Sequence, residues 1–208
     1  MKRLIVIASL LLAAVSAYGA TVDIVFTSFQ NNQWQLGYPY TATVNGVAGV
    51  WVMCDDWEHG GSPGQEWQAN VTDLGTGDLS LLRFNQMPEA LTLYQEAGWL
   101  LLQTEVTPST EWTDLNFAVW HIFDSSVPLS LNAQYWLGQA EQEARLEFPG
   151  VNFNSVTIYT PLNQYGLDSN GNLDPDAPQE LLTIVPEPGS LILLAGGLLT
   201  LWRAKRLF

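Results

Sequence analysis

Between residues 21 and 184 the spacing of apolar positions changes twice. In "ATVDIVFTSF", Val22, Ile24 and Phe26 alternate with polar or small neighbours, the period of a strand with one buried face. "YPYTATVNGVAGVWVMCDD" carries two extended runs around Asn45-Gly46, the dipeptide that best suits a tight hairpin turn. After the loop "EHGGSPG", "GQEWQANVTDLG" predicts a further strand. The period then lengthens. From Met87 to Gln103, Leu91, Tyr94, Gly98, Leu101 and Leu102 follow helical spacing, with Pro88 and Glu89 suited to a first turn. A second helix is predicted over Ser109–Phe123, with Leu115, Val119, Ile122 and Phe123 as its apolar stripe, and a third over Ser130–Phe148, stopped by Pro149-Gly150. The strand pattern returns in "SVTIYTP" and "QELLTIV", separated by the turn-rich "LNQYGLDSNGNLDPDAP". Strands, then helices, then strands predict an α+β fold: a β-rich shell with a helical lobe of two to three helices.

The two ends follow a different logic. Residues 1–20, "MKRLIVIASLLLAAVSAYGA", place Lys2 and Arg3 before an apolar stretch from Leu4 to Val15. Val15-Ser16-Ala17 or Ala17-Tyr18-Gly19 then supplies a small-x-small cleavage site, so this segment reads as a secretory signal peptide with a signal helix. Residues 185–208 hold Pro186-Glu187-Pro188, an apolar run from Leu191 to Trp202, and the basic cluster Arg203, Lys205 and Arg206. Counted from Gly189, a helix to Trp202 would be about 21 Å long against a hydrocarbon core of about 30 Å, so it would span as a transmembrane helix only with local thinning or help from its flanks. The basic cluster would place the C-terminus in the cytoplasm and the body outside.

This order of parts resembles the PEP-CTERM sorting signal. The resemblance implies recognition of Pro186, Glu187 and Pro188 by an exosortase, a membrane peptidase, with transient anchoring in the inner membrane. It also implies removal of the tail and release to the cell surface or an exopolysaccharide matrix. Domain organisation follows: signal peptide 1–20, an extracytoplasmic globular body 21–184, and a sorting signal 185–208.

Charge narrows what the body does. Residues 21–184 contain twenty of the 21 acids but only Arg83 and Arg145 as basic residues, a net charge of −18. Such a surface repels phosphate backbones, which excludes nucleic acid as an expected partner. Aromatic residues make up 12% of the chain, enough to furnish a core and too many for a disordered one.

Candidate chemistry centres on Cys54, the only cysteine, which closes a predicted strand beside Asp55 and Asp56. The carboxylates disfavour a thiolate. A Cys-His protease arrangement is not expected either, because His59 is too near in sequence and His121 lies in an apolar helical stripe. The strand cysteine followed by "NFAVW" at Asn116–Trp120 resembles the thioester domains of bacterial surface adhesins, in which a Cys is joined to the Gln of a Gln-x-Ala-Ile/Val-Trp helix. The resemblance implies Cys54 as thiol and Asn116 at the amide position, with Ala118, Val119 and Trp120 matching the rest. Asn in place of Gln is one methylene short. The alternative for Cys54 is a small buried apolar residue beside Trp51 and Trp120.

Two acidic groups stand out, Asp55-Asp56-Glu58 and the alternating Asp168, Asn170, Asn172, Asp174 and Asp176. The second lacks the Gly and Glu of a calcium-binding loop, where Leu173 and Gln179 stand instead, so a solvated acidic loop is expected. Trp34, Trp57 and Trp67 fall in or near loops, where exposed rings would suit a carbohydrate-binding module. No phosphate-binding glycine loop or zinc signature is present, and no metal, cofactor or catalytic residue is expected. The reading is a secreted, non-enzymatic structural or interaction protein, with a covalent adhesin or a sugar-binding module as alternatives.

Overall fold

The computed structural model describes residues 21–29, 39–174 and 176–185. The signal-helix reading at residues 1–20 and the sorting and transmembrane readings at 186–208 lie outside them. Among the described residues no helix is long and apolar enough to cross a membrane.

Six antiparallel strands close into a barrel. In chain order they are β1 (Thr21–Phe29), β2 (Tyr40–Val44), β3 (Val47–Cys54), β4 (Glu66–Asp73), β5 (Val156–Pro161) and β6 (Leu181–Ile184), and around the barrel they run β1-β2-β3-β6-β5-β4. Three helices, α1 (Ala90–Gln103), α2 (Trp112–Phe123) and α3 (Leu131–Arg145), form a lobe inserted between β4 and β5. The α+β expectation holds in this form, with the β-rich shell now a closed barrel. Asn45 and Gly46 turn the β2–β3 hairpin at φ 46° and 79°, the left-handed pair that lets a two-residue turn follow the strand twist.

Strand alternation builds two cores. Val52 and Cys54 of β3, Leu181 of β6 and Tyr159 of β5 share the barrel interior with Ile24, Phe26, Tyr40, Ala42, Val44 and Ala69. Met53, Leu182 and Ile158, each one residue out of phase, face the other way and pack with Tyr94, Ala97, Leu101, Leu115 and Val119 of the helices. This is why "VMC" and the Leu181-Leu182 pair read as unbroken apolar runs: both faces of these strands are covered there. A six-stranded barrel has an interior that side chains fill.

The helices differ from expectation at their ends. α1 starts at Ala90, not Met87, because Glu89 adopts a left-handed conformation (φ 57°) that cannot belong to the helix. α2 is preceded by a 3₁₀ turn at Ser109–Glu111. α3 opens on Ser130, whose hydroxyl accepts the Ala133 amide at 3.0 Å, and ends at Arg145 because Glu147 and Phe148 both have positive φ.

The pairing register fixes two opposite barrel ends. Cys54 pairs Leu181, and Phe29 pairs Tyr40, at one end. Val44 pairs Val47, and Val156 pairs Ile184, at the other. Thr21 and Val185, where the body adjoins its two terminal segments, both lie at the second end.

Candidate functional site

The groups capable of chemistry gather at the Cys54 end. The chain leaves β3 through Cys54, Asp55 and Asp56, all at or below 2% exposure. The thiol donates to the Asp56 carbonyl oxygen at 3.1 Å and accepts the Asp56 amide at 3.3 Å, so the turn closes on the sulfur itself. Trp120 plugs this barrel end, packed on Trp57 at 4.9 Å and Phe117 at 5.0 Å between ring centroids. Trp51, expected beside Cys54, instead lies mid-strand on the opposite face of β3, 49% exposed and edge-on to Trp112.

Asn116, on the inner face of α2, is fully buried, and its Nδ2 donates to the Cys54 carbonyl oxygen at 2.7 Å. The acceptor dictates this orientation, since Oδ1 in its place would set two oxygens against each other. Asn116 Oδ1 has no hydrogen-bond donor. The structure therefore brings Asn116 and Cys54 together, with the amide directed at the backbone carbonyl and the thiol at Asp56. Burial pushes the Cys54 thiol well above its ordinary range.

Sequence reasoning missed the ion-pair cluster that lies beside this pair. Asp56 accepts from Arg83 Nη1, and its Oδ2 lies 2.6 Å from His59 Nδ1. Arg83 also donates through Nε to the Gln164 carbonyl at 2.7 Å and through Nη2 to the Pro178 carbonyl at 2.8 Å. One cation thus joins the loop after β3 to the long loop before β6. His59 Nε2 is 3.3 Å from the Gly166 carbonyl. A side chain at Gly166 would put Cβ 2.2 Å from that ring nitrogen, and φ is +60°, so the close approach and the turn both require glycine. The one available signal was compositional: Arg83 is one of two basic residues in the body, and it is 5% exposed.

Glu180 is the second anchor. It accepts from the Tyr94 hydroxyl at 2.5 Å, the Arg83 amide at 3.0 Å, and the Thr160 hydroxyl. Asp55 lies beside it, and neither Asp55 oxygen has an N–H or O–H partner. Burial, then the charge of Glu180, raises the Asp55 carboxyl well above the carboxylate range. The neutral acid so favoured can donate its proton to Glu180, the one way two buried carboxyls coexist at contact. Tyr94 is pushed up by its burial and by Glu180.

The remaining sequence candidates fall elsewhere. Glu58 is exposed and separate from buried Asp55 and Asp56. Asp168 Oδ1 accepts the amides of Asn170 and Asn172 at 2.8 and 2.9 Å, hydrogen bonds that hold its carboxyl below the ordinary value. Among the described residues no group of three or more His, Cys, Asp or Glu is placed to hold a metal ion. Trp57 and Trp67 are half-buried against the barrel core, not the exposed rings expected, and Trp34 lies outside the described residues.

At the opposite end an apolar groove of about 640 Å³ is lined by Val44, Val47, Val50, Trp51, Tyr159 and Ile184, and closes on Val185. It opens because β3 and β6 share only the pairs Met53–Leu182 and Cys54–Leu181 and then diverge.

Comparison with known proteins gives one match by sequence. Residues 185–206 match the PEP-CTERM protein-sorting motif. No curated protein matches the chain. Among solved structures, the N-terminal domain of the Streptococcus pyogenes pilus tip adhesin Cpa is similar, with TM-score 0.46 and 12% identity over 83% of this chain and 97% of that one. The chain thus carries a PEP-CTERM motif. The motif marks it as exported and surface-sorted, and implies exosortase processing with transient membrane anchoring.

Proposed function

We propose that the protein is a non-enzymatic interaction protein, delivered to the cell surface or its exopolysaccharide matrix by removal of its C-terminal tail. The sorting motif at residues 185–206 is the observation that carries this reading. Pro186, Glu187 and Pro188 act as the recognition element, and Arg203, Lys205 and Arg206 hold the C-terminus in the cytoplasm until cleavage. The body's chemistry supports a passive role. Cys54, Asp55, Asp56, His59, Asn116 and Glu180 are each at most 3% exposed, so substrate has no access to them without opening the fold. With a net charge of −18 over residues 21–184, the body suits a neutral or cationic matrix polymer and repels a polyanionic one. The test is fractionation of the native host with and without Pro186→Ala/Pro188→Ala. The substituted chain is expected to stay in the inner membrane while the wild type reaches the surface. Equal surface delivery of both would remove the sorting role of the triplet.

A second reading rests on the 2.7 Å contact between Asn116 and the Cys54 carbonyl. If the Asn116 side chain turns toward the thiol, Sγ attacks its Cγ, the C–N bond breaks, and ammonia leaves with the thiol proton, giving an internal thioester able to capture an amine. Intact mass separates the readings: a thioester lowers it by about 17 Da, one ammonia, and removes the titratable thiol.

A further inference from the structure

We propose that the Val185 end of the barrel is a membrane-docking face, with the interfacial layer of a largely zwitterionic lipid bilayer as its occupant while the tail is anchored. The inference rests on the anchoring that the sorting motif implies. Five residues, 186–190, separate Val185 from Leu191, the first residue of the apolar run. Even fully extended, the six steps from Val185 to Leu191 span at most about 22 Å, so an anchored tail holds this barrel end within reach of the headgroup layer.

The face is chemically suited to that position. Val47 is 64% exposed at the hairpin and Val106 78% exposed one residue beyond Glu105, a groove-lining residue; Val185 is 38% exposed at the exit of the chain. Trp51, packed edge-on to Trp112, adds an amphipathic ring of the kind that settles at lipid interfaces. Glu105 is the only ionisable side chain among the described groove residues apart from the buried Tyr159. This stands in a body with twenty acids. Three valines and one indole bind lipid weakly on their own. The tether makes the contact intramolecular, at an effective concentration on the order of millimolar. The acidic body would be repelled by anionic lipid, so docking should weaken as the anionic fraction rises at low salt.

The arrangement also has a direction. Thr21 and Val185 share this end, and Cys54 with its loops points away. Lipid contact would hold the triplet, which begins one residue after Val185, at the depth where a membrane peptidase works.

The test uses the chain without its signal peptide, residues 21–208, reconstituted in phosphatidylcholine vesicles, with an environment-sensitive fluorophore on Val47→Cys and, as control, on Glu58→Cys at the opposite end. Cys54, fully buried, stays unlabelled in the folded protein. Flotation with the vesicles reports anchoring, and the probe reports docking. Expected are flotation of both proteins, a blue shift with a several-fold rise in emission at residue 47, and neither change at residue 58. Flotation without a shift at residue 47 overturns the docking face alone, as does a shift that needs added exosortase. Failure to float overturns the anchoring premise and the docking face with it.

Discussion

The two ends of the barrel solve opposite problems with the same strands. At the Cys54 end, Arg83, Asp56, His59, Glu180 and Asp55 are withdrawn from water and joined to one another and to loop carbonyls. At the Val185 end the lining is mostly apolar, with Glu105 as its one carboxylate, the strands diverge, and valines remain exposed. Burial of charge is what constrains the first end. Each ion there must be matched, because an unmatched one is costly at low dielectric. The open end has no such constraint. It tolerates change in the folded body and is sensitive only to what lies outside it.

The sharpest way to break this comparison is Arg83→Met. Removing the cation strands Asp56 and frees the Gln164 and Pro178 carbonyls, so a loss of about 3–5 kcal/mol is expected in urea unfolding. A loss under about 1 kcal/mol would mean that the polar end does not hold the loops.

Asp55→Asn tests the carboxyl pair with less disruption. The folded-state value of Asp55 is raised, so its stabilising contribution is complete below the unfolded value near 4 and is lost as pH rises through the folded one. Glu180, Arg83, Tyr94 and Cys54 are the groups that face it. Wild-type stability should therefore decline toward alkaline pH, and the amide should flatten that decline. Glu96 contributes independently: burial, then Glu141 and Glu89, raise it to about 7, so its contribution is lost as pH passes through that value. Asp55→Asn leaves this step in place, and Glu96→Gln removes it. An unchanged profile in Asp55→Asn would show that the carboxyl pair does not share a proton.

At the other end, Val47→Asn is expected to shift unfolding by no more than about 0.5 kcal/mol, because the residue is 64% exposed. The same substitution should abolish vesicle docking. A large loss of stability would instead assign Val47 to the fold.

How much of this was legible in the sequence follows from the range of the interactions. The hairpin at Asn45-Gly46 and the shift from strand to helix period are local; the hairpin is found where the pattern put it, and the three helices follow in the expected order with shifted ends. Asn116 and Cys54 were paired only through a resemblance, and what the fold shows between them is one hydrogen bond from the Asn116 amide to the Cys54 backbone carbonyl. Barrel closure was not legible, because it depends on two residue pairs between β3 and β6, more than 120 residues apart. The cluster of Arg83, Glu180 and Tyr94 was hidden for the same reason. A lone arginine among acids looks solvated until the fold shows that the acids around it are buried. The start of α1 at Ala90 turned on the left-handed conformation of Glu89, a residue that reads as a good first-turn acid.

The most direct test of the account is the intact mass of the protein recovered from the surface of its native host. The account predicts a chain that begins after Ala17 or Gly19, ends near Pro186–Pro188, and carries an unmodified Cys54 thiol. A surface species that still holds Leu191–Phe208 would contradict it.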